Sequence, residues 1–341
     1  MTSAHILRYN INIKFKEVDS DMSLKKIAQA SGVSVSTVSK AFSGSPEISP
    51  ETREKVIEVS KKLGCFEKYT KEKYPEKIIG VICPELGSEH YTNLLTNLER
   101  EITARNAIMV VSVSNFDKKR EEELFRYYSN FRKADGIIII SSVDFSNSSG
   151  IPTVVMGESK TADCVFVDSS EAINDAVRYL KKTGRKKIAF IGEELTVARE
   201  KMFENAMEKN AVAVMNKFVI STKKRFHDAG FCAAEHFFEN GDFPDAIVAA
   251  YDYIAIGAIR ALKAHGKKVP DDVAVIGMDN ISAGEDLDIP LATIDYHDEQ
   301  ISRIAVDMLF DAFSKRRPEK YKSIAVKSDL IIRDSAKNIS G

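Results

Sequence analysis

The sequence predicts a two-part fold: an all-α helix-turn-helix module near the N-terminal end, then an α/β body built on parallel sheet. Three observations carry this. Residues 23–63 place apolar side chains at helical spacing in three short segments separated by turn signals. From Lys77 the period changes, and short β-branched runs alternate with amphipathic segments. Charge divides along the same line: residues 22–64 carry seven Lys and Arg against four Glu, a net of +3, in a chain whose total is −1. A basic module on an acidic body points to a polyanionic partner for that module alone.

The first helix of the module presents Leu24, Ile27 and Ala28 on one face, and the small Ala28 lets a second helix cross closely. Ser31-Gly32-Val33 is a tight turn in which Gly32 can take a positive φ. Ser34 is a natural N-cap. The helix that follows turns Val38, Ala41 and Phe42 inward and leaves Val35, Ser36, Ser39 and Lys40 outward. Gly44 and Pro46 mark a loop. Ser49-Pro50 supplies a cap and a proline at the first position of a third helix, which buries Val56, Ile57 and Val59 or Ser60 and stops at Leu63-Gly64. A short helix that starts at a turn and shows small polar groups and one cation is suited to a DNA major groove, which such a helix enters by its N-terminal residues.

In the body, strands are expected at 78–83, 108–113, 136–141, 153–156, 164–167, 188–191, 218–220, 246–250 and 273–277. Helices are expected at 90–105, 117–132, 169–183, 196–210, 225–239, 253–265 and 297–315. Continuous β-branched runs between helices imply a sheet buried on both faces, the isoleucines of 137–140 most of all. Two βα series follow one another, with no short repeat.

Composition narrows the function. Hydrophobic residues make up 44% of the 341, enough for a sizeable core. The four cysteines, Cys65, Cys83, Cys164 and Cys232, are far apart and form no CxxC pair, so neither a zinc site nor a disulfide framework is expected. His227, His236, His265 and His297 share no metal-ligand spacing, so no metal or cofactor is expected. No 18-residue apolar run is present, and the N-terminus lacks a signal peptide's apolar segment; no membrane partner and a cytoplasmic location are expected.

The run Ile27-Ala28-Gln29-Ala30-Ser31-Gly32-Val33-Ser34-Val35-Ser36-Thr37-Val38-Ser39-Lys40, with Ile48-Ser49-Pro50-Glu51-Thr52-Arg53-Glu54-Lys55-Val56 and Leu63-Gly64, resembles the headpiece of the LacI/GalR family of bacterial transcription repressors. The resemblance implies a headpiece at 22–64 and a hinge at 65–77. It also implies an effector-binding and dimerisation body at 78–335 with the type I fold of periplasmic binding proteins, made of two Rossmann-like subdomains. One subdomain would hold about 78–167 and 297–315, the other about 168–292 and 319–335, ending on a strand at Leu330-Ile331-Ile332. Met22 stands where such headpieces begin, so residues 1–21 are expected to be a disordered extension foreign to the natural start. The hinge departs from the family: it is shorter and lacks the family's Ala-Arg-x-Leu. Its candidate minor-groove wedges are Phe66, Tyr69 and Tyr74, and its candidate phosphate contacts Lys68, Lys71 and Lys73.

The partners implied are double-stranded operator DNA read as a palindrome by a homodimer, and a small-molecule effector, a sugar or sugar derivative, between the lobes. For DNA, Val35 and Ser36 are expected at base edges and Lys40 on a guanine, with Ser34, Thr37 and Ser39 on phosphates. For the effector, Arg199, Asp279 and Asp252 match family positions, with Tyr251 and Tyr91 beside them. Asp168 is read as a helix cap, and His90, alone at a helix start, as structural. Gly157-Glu158 and Met202 depart from the family's cleft pattern.

The alternatives are a cytoplasmic small-molecule-binding protein without DNA regulation and an α/β enzyme. The first strand–helix turn, Cys83-Pro84-Glu85-Leu86-Gly87-Ser88, has no G-x-G-x-x-G, and neither G-x-x-x-x-G-K-[ST] nor G-x-S-x-G occurs. No catalytic residue is assigned.

Overall fold

Helices α1 (Ser20–Ser31), α2 (Val35–Phe42) and α3 (Pro50–Lys62) make the first of two compact units, and the chain passes to the second between Tyr74 and Pro75. The computed structural model describes residues 20–66, 68–69, 77–131, 133–142, 144, 150–314 and 320–337.

Each helix of the small unit ends where its residues dictate. Ser34 Oγ accepts the Thr37 amide at 3.0 Å and Ser49 Oγ accepts the Thr52 amide at 3.2 Å, so both caps are made. Gly32 and Gly64 take φ of +69° and +66° at the two helix ends, as a reversal there requires. Ile27, Ala28, Val38, Ala41 and Val56 form the buried centre. Ser60 is also buried, spending its hydroxyl on the Ile57 carbonyl, while Ile57 and Val59 are half-buried. The joint begins later than the sequence suggests. Phe66 and Tyr69 lie against Phe42, with ring centroids 6.4 and 5.4 Å away, and Lys61 Nζ sits 5.1 Å from the Phe66 ring. Those two rings close the base of the headpiece, which removes them as free wedges. Tyr74, Lys71, Lys73 and residues 1–19 lie outside the described residues.

The large unit has two lobes. In the first, β1 (Lys77–Cys83), α4 (Glu89–Thr103), β2 (Ala107–Val113), α5 (Lys118–Asn130), β3 (Gly136–Ile139), β4 (Thr153–Met156) and β5 (Asp163–Asp168) follow in order. In the second come α6 (Ser170–Lys182), β6 (Ile188–Glu193), α7 (Val197–Lys209), β7 (Val219–Thr222), α8 (Phe226–Glu239), β8 (Ala246–Ala249), α9 (Asp252–Ala264), β9 (Ala274–Ile276) and the short α10 (Ser282–Glu285). The chain then passes through β10 (Thr293–Asp295) to α11 (Asp298–Ser314), β11 (Ser323–Lys327) and β12 (Asp329–Ile331).

Every strand pair in the two larger sheets is parallel, in the orders β11-β5-β4-β3-β1-β2 and β7-β6-β8-β9. Ile137, Ile138 and Ile139 are fully buried, their side chains divided between the two faces of the six-stranded sheet. The subdomain boundary expected at the C-terminal end is corrected here. Residues 323–327 pair with β5 in the first lobe, Ile324 opposite Val165 and Val326 opposite Val167, and only β12 returns to β10. The sequence SIAVK is too short and polar to stand out as a strand; the β5 edge recruits it.

One close crossing shapes the second lobe. Gly230 of α8 lies against the Ile254 carbonyl of α9, and Gly257 of α9 against the His227 carbonyl of α8. A Cβ at either position would come closer than 3.0 Å to backbone. The two helices touch main chain to main chain, and that contact fixes where their N-terminal residues, Phe226 and Asp252, begin.

Candidate functional sites: a capped recognition helix and an interlobe cleft

On α2, Ser34, Val35, Ser36, Ser39 and Lys40 are exposed and Thr37 is half-buried. Ser34 and Thr37 hold each other, their hydroxyls 2.8 Å apart. Val35, with 37% of its surface open, projects from the first turn with no apolar neighbour in the headpiece core. Lys40 pairs with Glu47 of the following loop. Both groups are open to water, so the pair contributes little and yields readily to a stronger anion.

The cleft forms where strands end. In open α/β sheets the C-terminal edge leaves a crevice between successive strand–helix turns, and here the two lobes present these edges to each other. Two adjoining cavities of about 150 and 420 Å³ share His90, Tyr91, Phe116, Leu195, Ala198 and Arg199. The first lobe contributes Glu85 after β1, His90 and Tyr91 of α4, Phe116 after β2 and Asp298 of α11. The second contributes Glu193 after β6, Arg199 of α7, Arg225 and Phe226 before α8, Tyr251 after β8 and Asp279 after β9. Phe116, Phe226 and Asp279 hold φ of +59°, +56° and +101°, a conformation uncommon outside glycine that tends to gather at binding sites.

Arg199 donates to the Ala250 carbonyl, lies 3.5 Å from Asp279 and sits 5.2 Å from the centre of the Tyr296 ring. Asp279 Oδ1 is buried and accepts no hydrogen bond. Burial raises this carboxyl above its ordinary range, and Arg199 and His90 only partly offset it. His90 lies 3.3 Å from Asp298, with no hydrogen bond at His90 Nδ1 or Asp298 Oδ1. Burial opposes the imidazolium, yet Asp279 and Asp298 prevail over burial and Arg199 and raise its pKa.

A clasp joins the lobes at the rim. The Arg225 guanidinium donates to both oxygens of Glu85 at 2.8 and 3.0 Å, and its Nε reaches Glu193 at 3.1 Å. Phe116 and Phe226 flank it, their ring centres 4.9 and 4.6 Å away. Tyr251 donates to Glu193 at 2.9 Å and accepts from the Phe226 amide at 2.9 Å.

Arg199, Asp279, Tyr251 and Tyr91, all expected from the sequence, therefore line one cleft. Asp252 does not. It is 1% exposed and turns inward, accepting from Thr293 Oγ1 at 2.7 Å and the Ile281 amide at 2.9 Å. It pins the loop after β9 that carries Asp279. Asp252→Ala should cost about 2–3 kcal/mol, because two buried donors lose their acceptor; chemical denaturation would measure it. Asp168 accepts the Ser170 amide at 3.1 Å, in keeping with a cap. His90 proves to be a cleft residue, and Glu85, Glu193, Arg225, Phe116, Tyr296 and Asp298 carry no sequence signal beyond lying just past strand ends.

The His90 shift gives a sign. A histidine whose folded pKa is raised stabilises the fold fully below its unfolded value of about 6.5 and loses that contribution as pH rises through the folded value. Asp279 and Asp252, both raised by burial, act in the same direction at lower pH. The melting temperature should fall between pH 6 and pH 8.5, and His90→Gln should flatten the fall; an unchanged slope in the variant would assign the dependence elsewhere.

Among the described residues no group of three His, Cys, Asp or Glu could hold a metal ion, and no helix is long and apolar enough to cross a membrane.

Comparison with known proteins agrees with both parts. Residues 23–65 match the family model described as bacterial regulatory proteins, lacI family, and residues 177–336 match the periplasmic binding protein-like domain. Catabolite control protein A of Priestia megaterium is 28% identical over 278 residues, 76% of this chain and 83% of that protein. The HTH-type transcriptional repressor PurR of Histophilus somni is 26% identical over 335 residues, 93% of this chain and 99% of that protein. A LacI-family regulator from Silicibacter pomeroyi has the same fold, with a TM-score of 0.70 at 21% identity over 92% of this chain and 98% of that one. A CelR–cellobiose complex superposes with a TM-score of 0.67 at 23% identity, covering 92% and 99%. With a capped helix-turn-helix headpiece and a two-lobed body of two parallel sheets, the chain belongs to the lacI family of bacterial regulatory proteins.

Proposed function

We propose that this protein is a transcriptional repressor that binds a palindromic operator as a homodimer and answers to a small uncharged or weakly charged effector, a sugar or sugar derivative, held between its lobes. The observation that carries the reading is the pairing, in one chain, of an exposed recognition face on α2 with a cleft whose buried Asp279 oxygen has no partner within the protein. A buried acceptor left open is costly unless something else fills it. DNA recognition runs through Val35 and Ser36 at base edges and Lys40 on a guanine, with Ser34, Thr37 and Ser39 at phosphates.

Dimerisation is supported by the edge strand β2. It pairs only with β1 and leaves Ile108, Val110 and Val111 at 41, 40 and 36% exposure. An apolar open edge of this kind is normally covered. Effector binding then shifts the balance between two arrangements of the lobes, a coupling of about 1–3 kcal/mol in such systems.

Lys40→Ala tests the reading head. Glu47 is its partner within the protein and is itself exposed, so the fold should stand. Discrimination between the selected operator and versions with one guanine replaced should drop by about 1–3 kcal/mol. If discrimination is intact and only the salt dependence weakens, Lys40 contacts phosphate alone.

A further inference from the structure

Three buried polar atoms without a hydrogen bond converge on the cleft from both lobes: His90 Nδ1 and Asp298 Oδ1 from the first, Asp279 Oδ1 from the second. The side chains of His90, Asp298 and Asp279 are 14, 13 and 7% exposed. Two of the three atoms are carboxylate oxygens, which only accept. What they require is a ligand that donates.

The cations of the cleft are already balanced. Arg225 spends its donors on Glu85 and Glu193, and Arg199 spends one on the Ala250 carbonyl and lies beside Asp279. Against these two guanidinium groups stand Glu85, Glu193, Asp279 and Asp298, and no lysine lines either cavity. A carboxylate or phosphate brought here would meet an excess of negative charge where little water remains to screen it. It would also leave the two orphaned oxygens unfilled. Tyr91 and Tyr296 supply flat apolar faces beside them, suited to the C–H face of a ring.

We propose that His90 and Asp298 form a second recognition pair facing Asp279, and that together they select an uncharged, hydroxyl-rich ligand and exclude its acidic and phosphorylated counterparts. This rests on the interlobe cleft being the effector site. Ligand hydroxyls donate to Asp279 Oδ1 and Asp298 Oδ1. His90 faces Asp298 as the group that holds it, and the other charged or titratable groups around this pair are Asp279, Arg199, Tyr91 and Tyr296.

The test uses the full chain and matched probes. Glucose, galactose, ribose and cellobiose are compared by calorimetry and thermal shift with glucuronate, galacturonate, glucose 6-phosphate and ribose 5-phosphate. At least one neutral member should bind, a hundredfold or more tighter than its anionic partner. Asp298→Asn should weaken that binding at least tenfold while leaving the melting temperature nearly unchanged, since Asp298 Oδ1 serves no donor of the protein. A purely structural Asp298 would instead lower the melting temperature. Equal or tighter binding of an anionic probe overturns the proposal, and so does the absence of any neutral binder. Binding lost in Arg199→Ala but retained in Asp298→Asn keeps the cleft as the site and removes the second pair. Binding retained in Arg199→Ala, Asp279→Asn and Asp298→Asn alike places the ligand elsewhere and overturns both readings.

Discussion

Gly257→Ala should lower the stability of the body by about 3 kcal/mol or more, near the upper end of what overpacking costs. For a domain of this size that is a fall of roughly 6–12 °C in melting temperature. The added methyl would meet the His227 carbonyl of α8, which is main chain and cannot rotate away. Alanine is the better helix former by about 1 kcal/mol, which opposes the loss without cancelling it. Because α8 and α9 begin at Phe226 and Asp252, separating them also displaces Arg225, Tyr251 and the loop that Asp252 holds. Gly87→Ala is the control: nothing lies within 4 Å of its added carbon, and stability should hold. Thermal unfolding of the two variants separates packing from a general intolerance of substitution.

Arg199→Ala should weaken effector binding at least a hundredfold and abolish the effector's influence on DNA, while DNA binding without effector persists. The guanidinium is the charge that faces Asp279 across the cleft floor, and it also anchors the end of β8 through the Ala250 carbonyl. Lysine is not an equivalent. It offers one point charge where the fork serves Ala250, the Asp279 side and the Tyr296 face together. Arg199→Lys should therefore recover little. Titration of each variant with the effector, followed by DNA binding with and without it, gives the result; a variant that still responds normally would remove Arg199 from the site.

The legibility of the chain follows the reach of each interaction. Caps and turns are written within four residues, and Ser34, Ser49, Gly32 and Gly64 stand where local chemistry places them. Periodicity likewise gives the strands and helices of the body. β11 escapes because its five residues gain strand character only from the edge of β5, over 150 positions away. Asp252 shows the opposite error. It lies at a strand end, as a cleft residue would, but nothing in its neighbours says that Ile281 and Thr293 will capture its two oxygens. Phe66 and Tyr69 look like free aromatics in a charged linker until Phe42 is brought beneath them. The clasp of Glu85, Arg225 and Glu193 draws on three separate turns, and no spacing rule joins them.

The central claim is that one chain reads DNA through α2 and senses a small molecule through its cleft. Selection of operator sequences from a random double-stranded pool by the full-length protein, followed by footprinting across a salt series, tests it most directly. The account predicts a two-fold symmetric footprint, lost on Lys40→Ala with Val35→Ala, and affinity that falls steeply with salt. Enrichment of no sequence, or a footprint indifferent to both substitutions, would contradict it.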